Sequence, residues 1–290
     1  MPGARRGKHL TITIMLLGTS INMQEIINSL NEQGYAKIEN SIPQGLIISL
    51  WKEMHEVGKI IAERLSLELG NFQNPDQSAK EFLLLSSKNR RFISILYDQC
   101  KQLPSFLRLA TWKGLSEIYS NIYGIRLVGI GENSYGVRFD LPNEDQFRSH
   151  WHQEFATNPQ SPDGLVFWIP LVNIQEDMGS IEIMRTSNKG GLIEHKALDK
   201  YSFKQGLYRV GIPNEEALLK IYPVDQPLSN AGDILLLRFD TIHQSGRNVS
   251  DRLRVTLQVR YFGFDHPEAA AQFWPSKPSE FFGYDVQGKK

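Results

Sequence analysis

Apolar residues recur at helical spacing through the first half of the chain and change to short, punctuated runs in the second. NMQEIINSLNEQGY reads as a short helix ended by Gly34, and AKIEN after it as a short strand. Ser41-Ile42-Pro43 opens a longer helix, with the proline near its first turn, where its missing N–H leaves no bond unmade. Leu46, Ile47, Leu50, Trp51 and Met54 then share one face. Residues 78–123 carry two or three more helices. Phe106, Leu109, Ala110, Trp112, Leu115, Ile118, Tyr119 and Ile122 mark the last of them, which stops near Gly124; a stripe of this kind reads as core. From residue 125 the pattern becomes RLVGIGENS, YGVRFDLP, GLVFWIPLVNI, GSIEIMR, GDILLLRFD and RLRVTLQVRYF, β-rich runs separated by Gly, Pro, Asn and Asp. Helices first and strands afterwards predict an α+β chain, an antiparallel sandwich or jelly roll backed by helices. The longest irregular stretch, 186–230, is a candidate lid or insertion.

Composition narrows the function classes. Lys+Arg and Asp+Glu are both 32, and this balance argues against a nucleic-acid or polybasic membrane role. Cys100 is the only cysteine, so an internal disulfide and a cysteine-rich zinc module are excluded, and a reducing, cytoplasmic setting fits. Arg5, Arg6 and Lys8 precede a short apolar run, residues 10–18, with Gly18 and Ser20 after it. That resembles a signal peptide but is too short to span a membrane. The expectation adopted is a start at Met23, residues 1–22 being an extension. Residues 23–290 then form one domain: 23–124 mainly helical, 125–265 a jelly-roll core and 266–290 a tail. A small-molecule substrate is expected, with no nucleic acid and no membrane as partner.

The candidate chemistry lies in SHWHQEF, residues 149–155. Side chains at i and i+2 of a strand share a face, so His152 and Glu154 can converge on one ion, with His150 as a competitor. His-x-Glu alone is weak, and His266-Pro-Glu268 is a second, discarded, instance. The context of the first is better. It lies between two strands, and downstream come Gly232-Asp233, a strand, His243, and the cations Arg252 and Arg254. Two imidazoles and a carboxylate on one face of a metal leave three positions open, which suits Fe(II) enzymes that bind a co-substrate and O₂ together. His55 and His195 are set aside as non-ligands. Arg252 reads as a structural ion pair with Asp251 or Asp233.

The segments EQGYAKIENSIPQGLIISLWKEM, HWHQEF and IHQSGRNVSDRLRVTLQVRY resemble the phytanoyl-CoA dioxygenase family of Fe(II)/2-oxoglutarate oxygenases, over most of residues 25–265. The resemblance implies a double-stranded β-helix (jelly roll, cupin-like) core with the N-terminal helices packed on one face. It implies His152, Glu154 and His243 as iron ligands. Arg254, eleven residues after His243, would take the far carboxylate of 2-oxoglutarate, for which a planar guanidinium is well shaped. Ser245 would bond the same carboxylate, Trp168 would line the pocket, and Arg138 would contact 2-oxoglutarate or an acidic substrate. The implied reaction uses Fe(II), 2-oxoglutarate and O₂, releases succinate and CO₂, and hydroxylates a C–H bond. There are two departures. The family's aspartate is here Glu154, one methylene longer, so the ion or the loop must shift. Its Gly-Ser-His turn is here Thr186-Ser187-Asn188, which implies a different substrate. The rival readings are a cupin-type metal enzyme built on His150, His152 and His243, and a non-catalytic binding protein on the same fold. Against the cupin, Glu154 falls two residues after His152 instead of three or four, and Arg254 has no role.

Overall fold

Thr13–Leu16 (β1) pairs antiparallel with Thr19–Asn22 (β2) in the computed structural model, which describes residues 13–16, 19–125, 127–201 and 210–275. Arg5, Arg6, Lys8 and Gly18 of the leader-like pattern lie outside the described residues. Asn22 caps the first helix, α1 (Met23–Gln33), by accepting from the amides of Gln24 and Glu25. Gly34 ends it in the left-handed region, at φ 87°. Tyr35–Ile38 (β3) follows. Four short helices succeed the long α2 (Gln44–Arg64): α3 (Pro75–Lys88), α4 (Arg91–Cys100), α5 (Pro104–Ala110) and α6 (Lys113–Tyr123). The single helix expected through residues 106–122 is thus two. Trp112 adopts an extended conformation, and its indole folds back over Gly114, where a Cβ would stand 2.3 Å from the ring.

The second half supplies Val128–Asp140 (β4), Leu165–Pro170 (β5), Ile181–Met184 (β6), Lys196–Ala197 (β7), Val210–Gly211 (β8), α7 (Glu215–Ile221), Val224–Asp225 (β9), Ile234–Arg238 (β10), His243–Ser245 (β11), Arg254–Gly263 (β12) and α8 (Pro267–Ala271). The runs RLVGIGENS and YGVRFDLP, read as two, merge into β4. The stretch 186–230 carries short elements, and its residues 202–209 lie outside the described ones. The larger sheet has the order β3-β10-β5-β12-β4 and the smaller β11-β6-β9; all their pairings are antiparallel. They face each other as the two walls of a jelly roll.

β12 shows why the walls differ. Val255, Leu257, Val259 and Tyr261 form one row, all buried, and the helices cover it. The Tyr261 hydroxyl donates to the carbonyl of Ala110 (2.8 Å), and its ring meets Phe167 at 5.0 Å. Trp51, deep in α2, donates to the Leu171 carbonyl at 3.0 Å. The alternate row is Arg254, Thr256, Gln258 and Arg260, which faces the smaller sheet. Thr256 pairs in register with Arg138 and Pro170, Gln258 with Gly136 and Trp168, and Arg254 with Asp140. The ladder breaks once. Val259 faces Tyr135 but Tyr261 faces Ile130, so residues 131–134 stand opposite Arg260 alone. Among the described residues no helix is long and apolar enough to cross a membrane.

Phe167 is fully buried between sheet and helices. Phe167→Ala should lower unfolding stability by about 3–5 kcal/mol, the usual loss for a phenyl-sized cavity. Urea denaturation measures this; a loss below about 1 kcal/mol would mean that sheet and helices share no common core.

Candidate metal centre

Two backbone bonds create the centre. The His152 amide donates to the His243 carbonyl and the His243 amide to the His152 carbonyl, both at 3.0 Å. Directly opposed residues of an antiparallel bridge project to the same side, and the two imidazoles lie 4.4 Å apart, centroid to centroid. The chain then turns into a short 3-10 helix, Glu154–Ala156. Glu154 therefore sits at the start of a helical turn, not on the strand that the i, i+2 reading assumed. Its carboxylate still reaches the histidines: Oε1 is 3.8 Å from His152 Nε2 and 3.7 Å from His243 Nε2. One ligand atom from each of the three lies within 4.8 Å of the others.

The tautomers follow from the second nitrogens. His152 Nδ1 donates to the His150 carbonyl (2.6 Å) and His243 Nδ1 to the Thr241 carbonyl (2.9 Å). A carbonyl only accepts, so both Nδ1 atoms carry hydrogen, and in the neutral rings that bind a metal each Nε2 then turns a lone pair toward Glu154. The separations to Oε1 are too long for hydrogen bonds. Two lone pairs and an anion converging on one point form a donor set for a cation, and backbone-fixed imidazoles are the usual support of a metal ligand. Glu154 is 2% exposed. Burial pushes its carboxyl up, but the Arg260 guanidinium beside it holds it well below the ordinary carboxylate range. Arg260 donates to Oε1 from Nη2 (2.6 Å) and Nε (3.2 Å), and Asn158 donates to Oε2 (2.8 Å). His243 is shifted down by burial and by His152 beside it.

Arg254 is buried on the inward row of β12. Its Nε donates to Asp140 Oδ2 (3.1 Å) and its Nη1 to the carbonyls of Met178 (3.1 Å) and Gly246 (3.0 Å). Arg138 donates to the other oxygen of Asp140 at 2.9 Å. Burial opposes the ionisation of Asp140, and the two guanidiniums restore it, keeping the carboxyl below its ordinary range. Ser245 lies two residues beyond His243 on β11, and Trp168, 4% exposed, stands across from Gln258 on the inner wall. Arg252 pairs with Asp177 (2.5 Å) and Asp251 (3.8 Å) and not with Asp233, whose carboxylate caps the amides of Asn40 and Asn230. His150 is buried beside the centre but offers no atom to the cluster. His55 is fixed in the helices by Ser78 and the Gly70 carbonyl.

Four further neighbours were missed or dismissed on sequence. His195, set aside as a non-ligand, offers no atom to the cluster but is in the wall: its Nε2 accepts from the Gln153 amide (2.8 Å) and its Nδ1 donates to the Ile193 carbonyl. Gln153, between two ligand candidates, fastens the same loop. Its side chain donates to the carbonyls of Gly191 and Asp240 and accepts from the Ile193 amide. Thr256 and Arg260 share the inward row with Arg254, and that period-two alternation is the signal that could have found them. Thr186-Ser187-Asn188 does not point at an open substrate space. Ser187 accepts from the Ile242 amide under His243, and Asn188 donates to the end of α1.

Comparison with known proteins shows the family and the fold. The family model for phytanoyl-CoA dioxygenase (PhyH) matches residues 30–256. No curated protein matches the chain. Among solved structures, the fold is similar to SnoK, a non-heme alpha-ketoglutarate-dependent carbocyclase from nogalamycin biosynthesis (16% identity, 83% of this chain and 84% of that one, TM-score 0.55). It is similar to the epimerase SnoN in complex with Fe³⁺, alpha-ketoglutarate and nogalamycin RO (14%, 83% and 83%, TM-score 0.54). It is also similar to EctD from S. alaskensis with bound Fe (15%, 82% and 75%, TM-score 0.54).

Burial pushes the His195 pKa from 6.5 down to about 4. Between those values the unfolded chain binds a proton that the folded one refuses. The stability this neutral ring contributes is therefore whole above about pH 6.5 and is lost as pH falls toward 4. His195→Gln should be less stable than the wild type at pH 7.5, with the gap in Tm narrowing between pH 6.5 and 4. Parallel Tm–pH curves would contradict the assignment of His195 as a buried neutral acceptor.

Proposed function

Because the chain belongs to the phytanoyl-CoA dioxygenase family, we propose that it is an Fe(II)- and 2-oxoglutarate-dependent oxygenase that oxidises a C–H bond of a small molecule, most simply by hydroxylation. The observation that carries the reading is the convergence of His152, Glu154 and His243 with both Nε2 lone pairs free of protein donors. Ferrous iron held there would supply the site at which 2-oxoglutarate and O₂ react to give succinate, CO₂ and an oxidised substrate. The chain's own residues do the rest. Both imidazoles are oriented by the carbonyls that hold their Nδ1 atoms, and Glu154 is kept ionised by Arg260.

The groups proposed for 2-oxoglutarate suit a carboxylate. Arg138 and Arg254 both bond Asp140, so two guanidiniums are gathered at this corner of the inner wall. Thr256 Oγ1, on the same row, is buried without a partner among the described residues. A second carboxylate placed there would gain charge-assisted bonds and satisfy a buried hydroxyl. Arg254, Ser245 and Thr256 are proposed to hold that carboxylate, with Arg138 behind Asp140 and Trp168 walling the pocket. Hydroxylation is the simplest outcome of such a site. The fold also accommodates SnoK and SnoN, a carbocyclase and an epimerase, so the bond formed after C–H oxidation depends on the substrate. The binding-protein alternative is favoured by one observation, the Arg260 guanidinium already seated on Glu154 Oε1.

Anaerobic titration with Fe(II) and then 2-oxoglutarate separates these readings. A visible charge-transfer band is expected, absent in Glu154→Ala. In Arg254→Ala it should require about 100-fold more 2-oxoglutarate, on the order of the 2–3 kcal/mol of a charge-assisted pair. Iron binding without a band would favour the cupin-type enzyme, and no iron binding the binding protein.

A further inference from the structure

We infer that Arg260 is a positioning residue for the metal-facing carboxylate. With Asn158 it clamps Glu154 so that Oε1 alone is presented between the two histidines, while Oε2 is withheld. This rests on the metal-centre reading above and adds two residues to it.

A glutamate has one more rotatable bond than the aspartate usual at this position, so something must fix its longer arm. The hydrogen bonds identify it. Both Arg260 donors go to one oxygen, Nη2 at 2.6 Å and Nε at 3.2 Å from Oε1. A guanidinium ordinarily spreads its fork over both oxygens of a carboxylate. Here the second oxygen is already taken, by Asn158 Nδ2 at 2.8 Å. Oε1 takes both Arg260 donors and is the oxygen that faces the two imidazoles, 3.8 Å from His152 Nε2 and 3.7 Å from His243 Nε2. Oε2 is held by Asn158 on the carboxylate's other side.

The clamp is itself anchored. Arg260 Nη2 also donates to Gln258 Oε1 (3.0 Å) and Nη1 to the Ser134 carbonyl (3.5 Å). Asn158 Oδ1 accepts from the Ser134 hydroxyl. Both jaws therefore meet at Ser134, within residues 131–134, the stretch of β4 that bulges opposite Arg260. An unbroken ladder would place one residue there, not four. The bulge, the clamp and the longer ligand belong together.

The opposite possibility is that Arg260 acts as a resident cation that competes with the metal for Oε1. The two make contrary predictions. Cobalt(II), a visible stand-in for iron, can be titrated into the full-length chain and its ligand-field spectrum recorded, with no turnover needed. Arg260→Gln should weaken Co(II) binding by about 10- to 100-fold, the usual range for a residue that orients a ligand, and change the spectrum. Arg260→Lys, which keeps a donor and the charge, should recover part of the affinity. Asn158→Leu leaves the ion pair intact and frees Oε2; it should change the spectrum as the carboxylate turns toward two-oxygen coordination. Wild-type or tighter affinity in Arg260→Gln with an unchanged spectrum would overturn the clamp. If Arg260→Gln fails to fold, the other two variants decide: Co(II) affinity and spectra identical to the wild type would overturn it equally. A wild-type chain that takes up no Co(II) would overturn the metal-centre reading and the clamp together, so the two failures are distinct.

Discussion

The reciprocal pair of backbone bonds between His152 and His243 is the constraint on which the site depends. It closes the gap between a loop and the short strand β11, and no side chain is needed to make it. Because the bonds are backbone to backbone, the imidazoles project together by pleat geometry, and each ring is then locked by a carbonyl two residues behind it. The jelly roll, built from strands before, between and after the two histidines, makes the bridge possible.

That jelly roll tolerates a charged interior because β12 keeps two separate accounts of polarity. Its outward row is apolar and sealed by the helices, which supply the hydrophobic stabilisation. Its inward row is left to Arg254, Thr256, Gln258 and Arg260. Buried charges there are acceptable only when paired. Asp140 and Glu154 do the pairing, with three guanidiniums between them.

Much of this was legible in the sequence, unevenly. Helical periodicity and the two stop signals Gly34 and Gly124 located the N-terminal layer, because both glycines adopt the left-handed conformation that ends a helix. The break between α5 and α6 was hidden, since it depends on an indole folding over Gly114, and an apolar stripe continues across it. His152, Glu154 and His243 could be singled out by spacing and by resemblance. The alternation that carries Arg254 also puts Arg260 on the inward row, but its partner could not be read, because that is fixed by a bulge that no local pattern announces. His195 was dismissed for lying in an irregular segment; an acceptor for one backbone amide leaves no periodic trace. Arg252 does pair with Asp251, as its position beside it suggests, but its shorter contact, to Asp177, comes near only through the fold.

The middle residue of His-x-Glu has a wider consequence. Gln153 ties the loop at 191–193 to the segment that carries His152. The position a motif leaves blank is thus the mechanical joint between the ligand segment and the wall of the pocket. Exchanging that loop for one from a relative, as a route to a new substrate, would sever the joint unless residue 153 were exchanged with it. Loop and motif form one heritable module, and recombination boundaries in this fold belong outside both.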